Sequence, residues 1–220
     1  MNIKYVVRTI PERKLDKTYS QINFELFIDK KHNAWESFVE ALEKYADYDL
    51  VLLEDDCILC RNFKQRIEDV IAKFPHNIIN FYTLPQSYFT TRFSDHFNYN
   101  QCTYFPKGST KEIIKIMKQD RDINREKYSY ERSYESYEIS LREALKKLKI
   151  AHLQYRPCLV QHNDHNSTLS LSREARITPY FIDYLDDLGL EYFSPDIIFK
   201  HTELIQYRNK QLNIDPLNYK

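Results

Sequence analysis

The run Leu50-Val51-Leu52-Leu53 passes without a polar interruption into Glu54-Asp55-Asp56, and no other stretch restricts the fold as tightly. A strand with no polar alternation needs apolar cover on both of its faces, as in a parallel sheet sandwiched between helices. Three adjacent carboxylates at its end repel one another, so a cation or hydrogen-bond donors must neutralise them. A divalent metal is the simplest answer. A second polar cluster, Gln161-His162-Asn163-Asp164-His165, follows late in the chain.

The rest of the pattern agrees with an α/β chain. Lys4 to Ile10 and Ile22 to Asp29 read as strands. Trp35, Phe38, Val39, Leu42 and Ala46 then recur at helical spacing behind Asn33 as cap. Phe63, Ile67, Val70, Ile71 and Phe74 mark a second helix, stopped by Pro75. Further strands are expected at Asn77 to Thr83 and Gln101 to Phe105, with a turn-rich aromatic stretch between them. A helix follows from Ser109 or Thr110 to Met117. Asp120 to Arg132 is highly charged with little apolar content and reads as a mobile loop. Leu141, Leu145 and Leu148 define another helix, Ile150 to Arg156 another strand, and helices rich in tyrosine and charge occupy the tail beyond Ser172. Strands alternating with helices imply a largely parallel sheet, whose ligands bind beyond the carboxyl ends of the strands. Glu54, Asp55 and Asp56 fall there.

Composition removes several classes. The 220 residues suffice for one sizeable core rather than two independent ones. Lysine plus arginine (32) balance aspartate plus glutamate (32), so no global field draws the chain to nucleic acid or to an anionic membrane. Only two glycines are present, which excludes glycine-rich dinucleotide and Walker-type phosphate loops. No segment approaches the roughly 18 apolar residues of a membrane span, and the start MNIKYVVRTIPERK lacks the apolar core of a signal peptide. A cytoplasmic location is expected. Cys57 and Cys60 form a lone CxxC with no second pair to complete a four-thiolate site, so ordinary thiols are the simpler reading.

Taken in order, RTIPER after the first strand, Asp29 after the second, NAWESFVEAL, LVLLEDD and the late PCLVQHNDHNSTLS resemble nucleotide-sugar glycosyltransferases of the GT-A fold, in the manner of small bacterial and bacteriophage members. The likeness covers residues 1–171, leaving 172–220 as a helical C-terminal extension packed on that domain. It implies a Rossmann-like, mixed but mostly parallel sheet flanked by helices, and a metal-dependent transfer of sugar from a nucleoside-diphosphate donor to an acceptor hydroxyl. Position by position, it implies Asp56 as first metal ligand, Glu54 and Asp55 in support at the donor, and His162 as a second ligand. Hard oxygen donors suit Mg²⁺ or Mn²⁺, and an imidazole tilts the choice to Mn²⁺. A bridging cation would neutralise the diphosphate as the glycosidic bond breaks.

An inverting transfer needs a base for the acceptor proton, and in such enzymes an acid often stands where the helix before the late strand begins. Glu138 shares a helical face with Leu141, Leu145 and Leu148 and points inward; Glu135 is the next choice. Arg8, Thr9, Arg13 and Asp29 lie where the donor nucleotide is expected. The acceptor is open: a hydroxylated DNA base, a protein or a glycan. For the DNA base, Arg121, Arg125, Lys127 and Arg132 would supply the basic patch.

Plainer readings stand beside these. Acids near a helix start are favourable without a metal, a single histidine is often structural, and surface arginines need no ligand. Clustered acids with histidines also build nucleases and phosphoesterases, and a non-catalytic binding protein could share the scaffold.

Overall fold

A computed structural model of the chain describes residues 2–83, 92–94, 97, 100–127, 136–163, 178–190, 204, 206, 207 and 210, and within 100–127 it describes side chains as far as residue 122. Glu135, Asp164, His165 and Arg132 lie outside the described residues. The strands are β1 (Ile3–Thr9), β2 (Glu25–Ile28), β3 (Asp49–Glu54), β4 (Cys57–Leu59), β5 (Ile79–Asn80), β6 (Arg92–Ser94), β7 (Cys102–Phe105), β8 (His152–Gln154) and β9 (Val160–His162). The helices are α1 (Ala34–Lys44), α2 (Phe63–Lys73), α3 (Thr110–Lys127), α4 (Tyr137–Lys147) and α5 (Ile182–Asp187), with a 3₁₀ turn at Lys17–Gln21.

Among the described residues, seven strands form one sheet in the order β2-β1-β3-β7-β5-β8-β6, and β4 pairs with β9 in a separate ribbon. β1 runs parallel to β2 and to β3, and β5 parallel to β8. β7 lies antiparallel between β3 and β5, and β6 antiparallel on the edge beside β8. The sheet is therefore mostly parallel in strand direction with two reversed members, a mixed α/β architecture.

The two faces of β3 explain its unbroken apolar run. Leu50 and Leu52 are buried against Phe38 and Leu42 of α1, Ile113 and Met117 of α3, and Leu141 and Leu145 of α4. Val51 and Leu53 are buried on the other side with Phe63, Ile67 and Ile71 of α2 and with Ile182 and Leu185 of α5. Neighbouring residues of one strand thus serve two cores, because successive side chains point to opposite faces. Each large side chain buried in this way contributes about 1.5–3 kcal/mol.

Helix starts follow local rules. The Asn33 side chain accepts from the Glu36 amide at 3.1 Å, capping α1, and Ser136 accepts from the Ile139 amide at 3.4 Å, capping α4. One expectation is corrected. α3 does not stop at Met117 with a loop from Asp120; it continues to Lys127. The reason is a contact invisible to hydropathy: the Arg121 guanidinium lies 4.1 Å from the centre of the Trp35 ring and pairs with Glu36 at 3.4 Å. A charged side chain here covers aromatic surface as an apolar one would.

Candidate active site

The end of β3 is where the topology converges. Backbone register places Arg8 of β1 beside Glu54, and Thr9 beside Ile28, with Asp29 next in line. After Asp56 the chain turns directly into β4, whose antiparallel pairing sets Cys57 opposite His162. The Asn163 amide donates to the Asp56 carbonyl at 2.6 Å, closing the ribbon onto the acidic turn. Asp56 and His162, distant in sequence, meet for this reason: Nε2 of His162 lies 3.2 Å from Oδ2 of Asp56.

Glu54 has partners of its own, whereas Asp55 and Asp56 share Arg13. Glu54 is held by Arg8, whose Nη2 donates to both carboxylate oxygens at 2.8 and 2.9 Å. Arg8 also donates to the Ala34 carbonyl, and its guanidinium lies 4.2 Å from the Tyr137 ring centre and 5.5 Å from that of Phe38. Burial pushes the Glu54 carboxyl up to about 7, with the charges of Asp56 and Asp55 adding to it and Arg8 opposing it. Burial is the largest influence on Arg8 and acts to lower it, but the Glu54 charge and hydrogen bond, with Tyr137 and Asp55, together raise the guanidinium, so Arg8 stays cationic.

Asp55 organises the loop after β1. Its Oδ2 accepts from Thr9 Oγ1 at 2.7 Å, and its Oδ1 takes Nη1 of Arg13 at 2.6 Å. Burial raises the Asp55 carboxyl, while Thr9 and Arg13 pull the other way. Arg13 also reaches Oδ2 of Asp56 at 3.5 Å. Asp29, nearly buried, accepts from the Lys31 amide at 3.0 Å and donates its own amide to the Thr9 carbonyl at 2.7 Å.

Glu138, in the first turn of α4, joins the same neighbourhood. Its Oε1 accepts from the Asn100 amide at 3.1 Å, and Asn100 in turn lies 3.5 Å from Glu54 through Nδ2. Tyr137 donates its hydroxyl to Glu54 at 3.2 Å. The structure therefore brings Arg8, Thr9, Arg13, Asp29, Glu54, Asp55, Asp56, Glu138 and His162 to one end of the sheet.

Three contributors were not read from the sequence. Tyr137 stacks on Phe38 with ring centres 4.8 Å apart and roofs the Arg8 pair. Tyr19 donates to the Glu54 carbonyl, tying the 3₁₀ turn to the end of β3. Asn100 is fully buried and accepts from Thr103 Oγ1 at 2.7 Å. The position of Tyr137 beside Glu138 at a helix start was a usable signal; no sequence pattern marks Asn100.

A carboxylate oxygen and an imidazole nitrogen meeting at one point suit a borderline divalent cation such as Mn²⁺. Among the described residues no group of three or more His, Cys, Asp or Glu converges on such a point. With two such residues, a cation held here would have to draw its remaining ligands from water and substrate phosphate, as Mg²⁺ and Mn²⁺ do at phosphate sites. The cysteines are separate from this chemistry. Cys57, Cys60, Cys102 and Cys158 are free and buried, and burial raises the first three thiols, which keeps them protonated. A cavity of about 630 Å³ lined by Gln21, Asn62, Lys64, Gln65 and Arg66 opens elsewhere, at the start of α2. Its Lys64 and Arg66 are paired with Glu68 and Asp186.

Comparison with known protein families and with curated proteins finds no match to this chain. What the geometry defines is a class: a mixed α/β protein carrying an acidic, histidine-containing cluster at the carboxyl end of its central strand.

Proposed function

We propose that this chain is a metal-dependent glycosyltransferase of the GT-A type, moving a sugar from a nucleoside-diphosphate donor to an acceptor hydroxyl. One observation carries the reading: Asp56 and His162 are delivered to within 3.2 Å of each other at the carboxyl end of β3, where open α/β sheets bind ligands. In this reading Asp56 and His162 hold Mn²⁺ or Mg²⁺, and the cation neutralises the departing diphosphate. Thr9 and Asp29 border the nucleotide side. Asp55 shapes the loop that carries Arg13, and Glu54 with Arg8 forms the buried floor. Glu138, held by the Asn100 amide, is the base for the acceptor proton, and a carboxylate base favours inversion.

Support for the floor role of Arg8 comes from its engagement with Glu54, Ala34 and two aromatic rings, which leaves Arg13, on the loop, as the arginine nearer the donor. A DNA acceptor draws little support, because Arg121 is committed to Trp35 and Glu36.

The test is a panel. The protein is incubated with Mn²⁺ and each of several UDP-, GDP-, CDP- and ADP-sugars, and separately with plain phosphodiesters. Metal-dependent release of a nucleoside diphosphate, lost in Asp56→Asn, is the expected result. Cleavage of phosphodiesters alone would point to the hydrolytic class, and no metal-dependent stabilisation by any of UDP, GDP, CDP or ADP in a thermal-shift screen would point to a non-catalytic binder.

A further inference from the structure

The guanidinium of Arg13 and the imidazole of His162 converge on one and the same carboxylate oxygen, Oδ2 of Asp56, at 3.5 and 3.2 Å. Arg13 is anchored for this by its shorter bond to Asp55, at 2.6 Å, and its side chain is almost fully buried (8 % exposed). The loop that carries it is pinned at both ends: the Arg13 amide donates to the Ile10 carbonyl at 3.2 Å, and Asp16 caps the following 3₁₀ turn by accepting from Thr18 at 2.8 Å.

We infer that Arg13 is a resident counter-cation of Asp56, which competes with the divalent ion for Oδ2 and holds down the affinity of the site for a metal that arrives alone. This inference rests on the proposed metal role of Asp56 and goes beyond it. An arginine side chain is never deprotonated in a protein, so a divalent ion on Asp56 faces a fixed positive charge a few ångströms away, in surroundings where charges are poorly screened. A nucleoside diphosphate changes the balance. Its phosphates give Arg13 a bidentate partner of opposite sign and give the ion its missing ligands, so metal and diphosphate favour each other's entry. Arg13 is a positioning residue here: it acts on the reaction through Asp56 and the cation.

The experiment titrates Mn²⁺ alone, read by the electron paramagnetic resonance of free Mn²⁺, into wild type and into Arg13→Gln, Arg13→Met and Arg13→Lys. Removing the charge (Arg13→Gln, Arg13→Met) is expected to tighten Mn²⁺ binding about tenfold, whereas Arg13→Lys, which keeps the charge, stays near wild type. A purely structural anchor would give the opposite, looser binding in all three. Unchanged or weaker binding in the uncharged variants, tightening in Arg13→Lys, or loss of a cooperative thermal transition in both uncharged variants would overturn the inference. Asp56→Asn, made in wild type and in Arg13→Gln, separates the two levels. If neither background shows Mn²⁺ binding that depends on Asp56, the metal reading itself fails. If binding depends on Asp56 but ignores the charge at position 13, only the role of Arg13 fails.

Discussion

Glu54 and Arg8 show how a single buried pair can be read through pH. Burial places the Glu54 carboxyl at about 7, above its ordinary 4.5, so the folded chain takes up a proton that the unfolded chain releases. The associated stability is present in full below about pH 4.5 and is lost as pH rises through 7. Arg8 opposes this, and Arg8→Met removes the opposition. The substitution is expected to cost about 3 kcal/mol or more near pH 8, where the wild-type carboxylate is charged and the variant must either leave it buried without a partner or take up a proton against the solution pH. Near pH 5, where the carboxyl is protonated, the loss should be smaller. Urea denaturation at the two pH values measures the difference, and a loss independent of pH would refute the pairing. At the metal position, His162→Ala is expected to weaken Mn²⁺ binding about tenfold to a hundredfold with the fold retained, read by the same Mn²⁺ titration. The sequence exposed which residues to watch at this scale, since the acids, His162 and Glu138 were all legible. It did not expose which partners each acid meets, Glu54 with Arg8, Asp55 with Thr9 and Arg13, Asp56 with His162 and the same Arg13, because side chains adjacent in a sequence carry no record of which distant groups approach them.

Among the elements, the β4–β9 ribbon matters most to the site and was least visible beforehand. Each strand is three residues long, too short for periodicity to speak. Cys60 donates to Leu159 and Asn163 to the Asp56 carbonyl, and since hydrogen-bonding direction alternates along a strand, Ile58 also faces β9. Ile58→Pro removes a donor from that ladder. The expected outcome is a modest stability loss, about 1–3 kcal/mol, together with loss of Asp56-dependent Mn²⁺ binding. A melt and a Mn²⁺ titration on one sample check both, and retained binding would show that the ribbon does not place His162. α3 makes the complementary point. Apolar residues thin out after Met117 in its second half, which on hydropathy alone reads as loop, yet Arg121 supplies the cover over Trp35. Trp35→Ala is accordingly expected to cost about 3–5 kcal/mol, measurable by denaturation.

For the whole molecule, a group of described residues beyond 171 belongs to the core. Tyr180, Phe181, Ile182, Tyr184, Leu185 and Leu204 are buried in the cluster that covers the Val51 and Leu53 face of β3. The Cys158 and Tyr180 backbones are also bonded at 2.9 Å, and Gln161 donates to the Thr178 carbonyl at 2.7 Å. At about 1.5–3 kcal/mol for each large apolar side chain, losing this layer removes stabilisation comparable to the whole 5–15 kcal/mol by which domains are stable. A chain ending at Leu171 is expected to lose its cooperative melt and to bind a hydrophobic dye, whereas an independent 1–171 domain would melt as a unit. By itself the sequence determined the order of the longer strands and helices, the buried central strand and the acids at its end, while the short strands β4, β6 and β9 escaped it, because periodicity and burial preference act between residues a few positions apart. Only the tertiary structure decided the reversed strand β7, the place of the C-terminal layer and the meeting of Asp56, Arg13 and His162. Those depend on contacts of 3–4 Å between remote segments, which backbone register creates and local pattern does not encode.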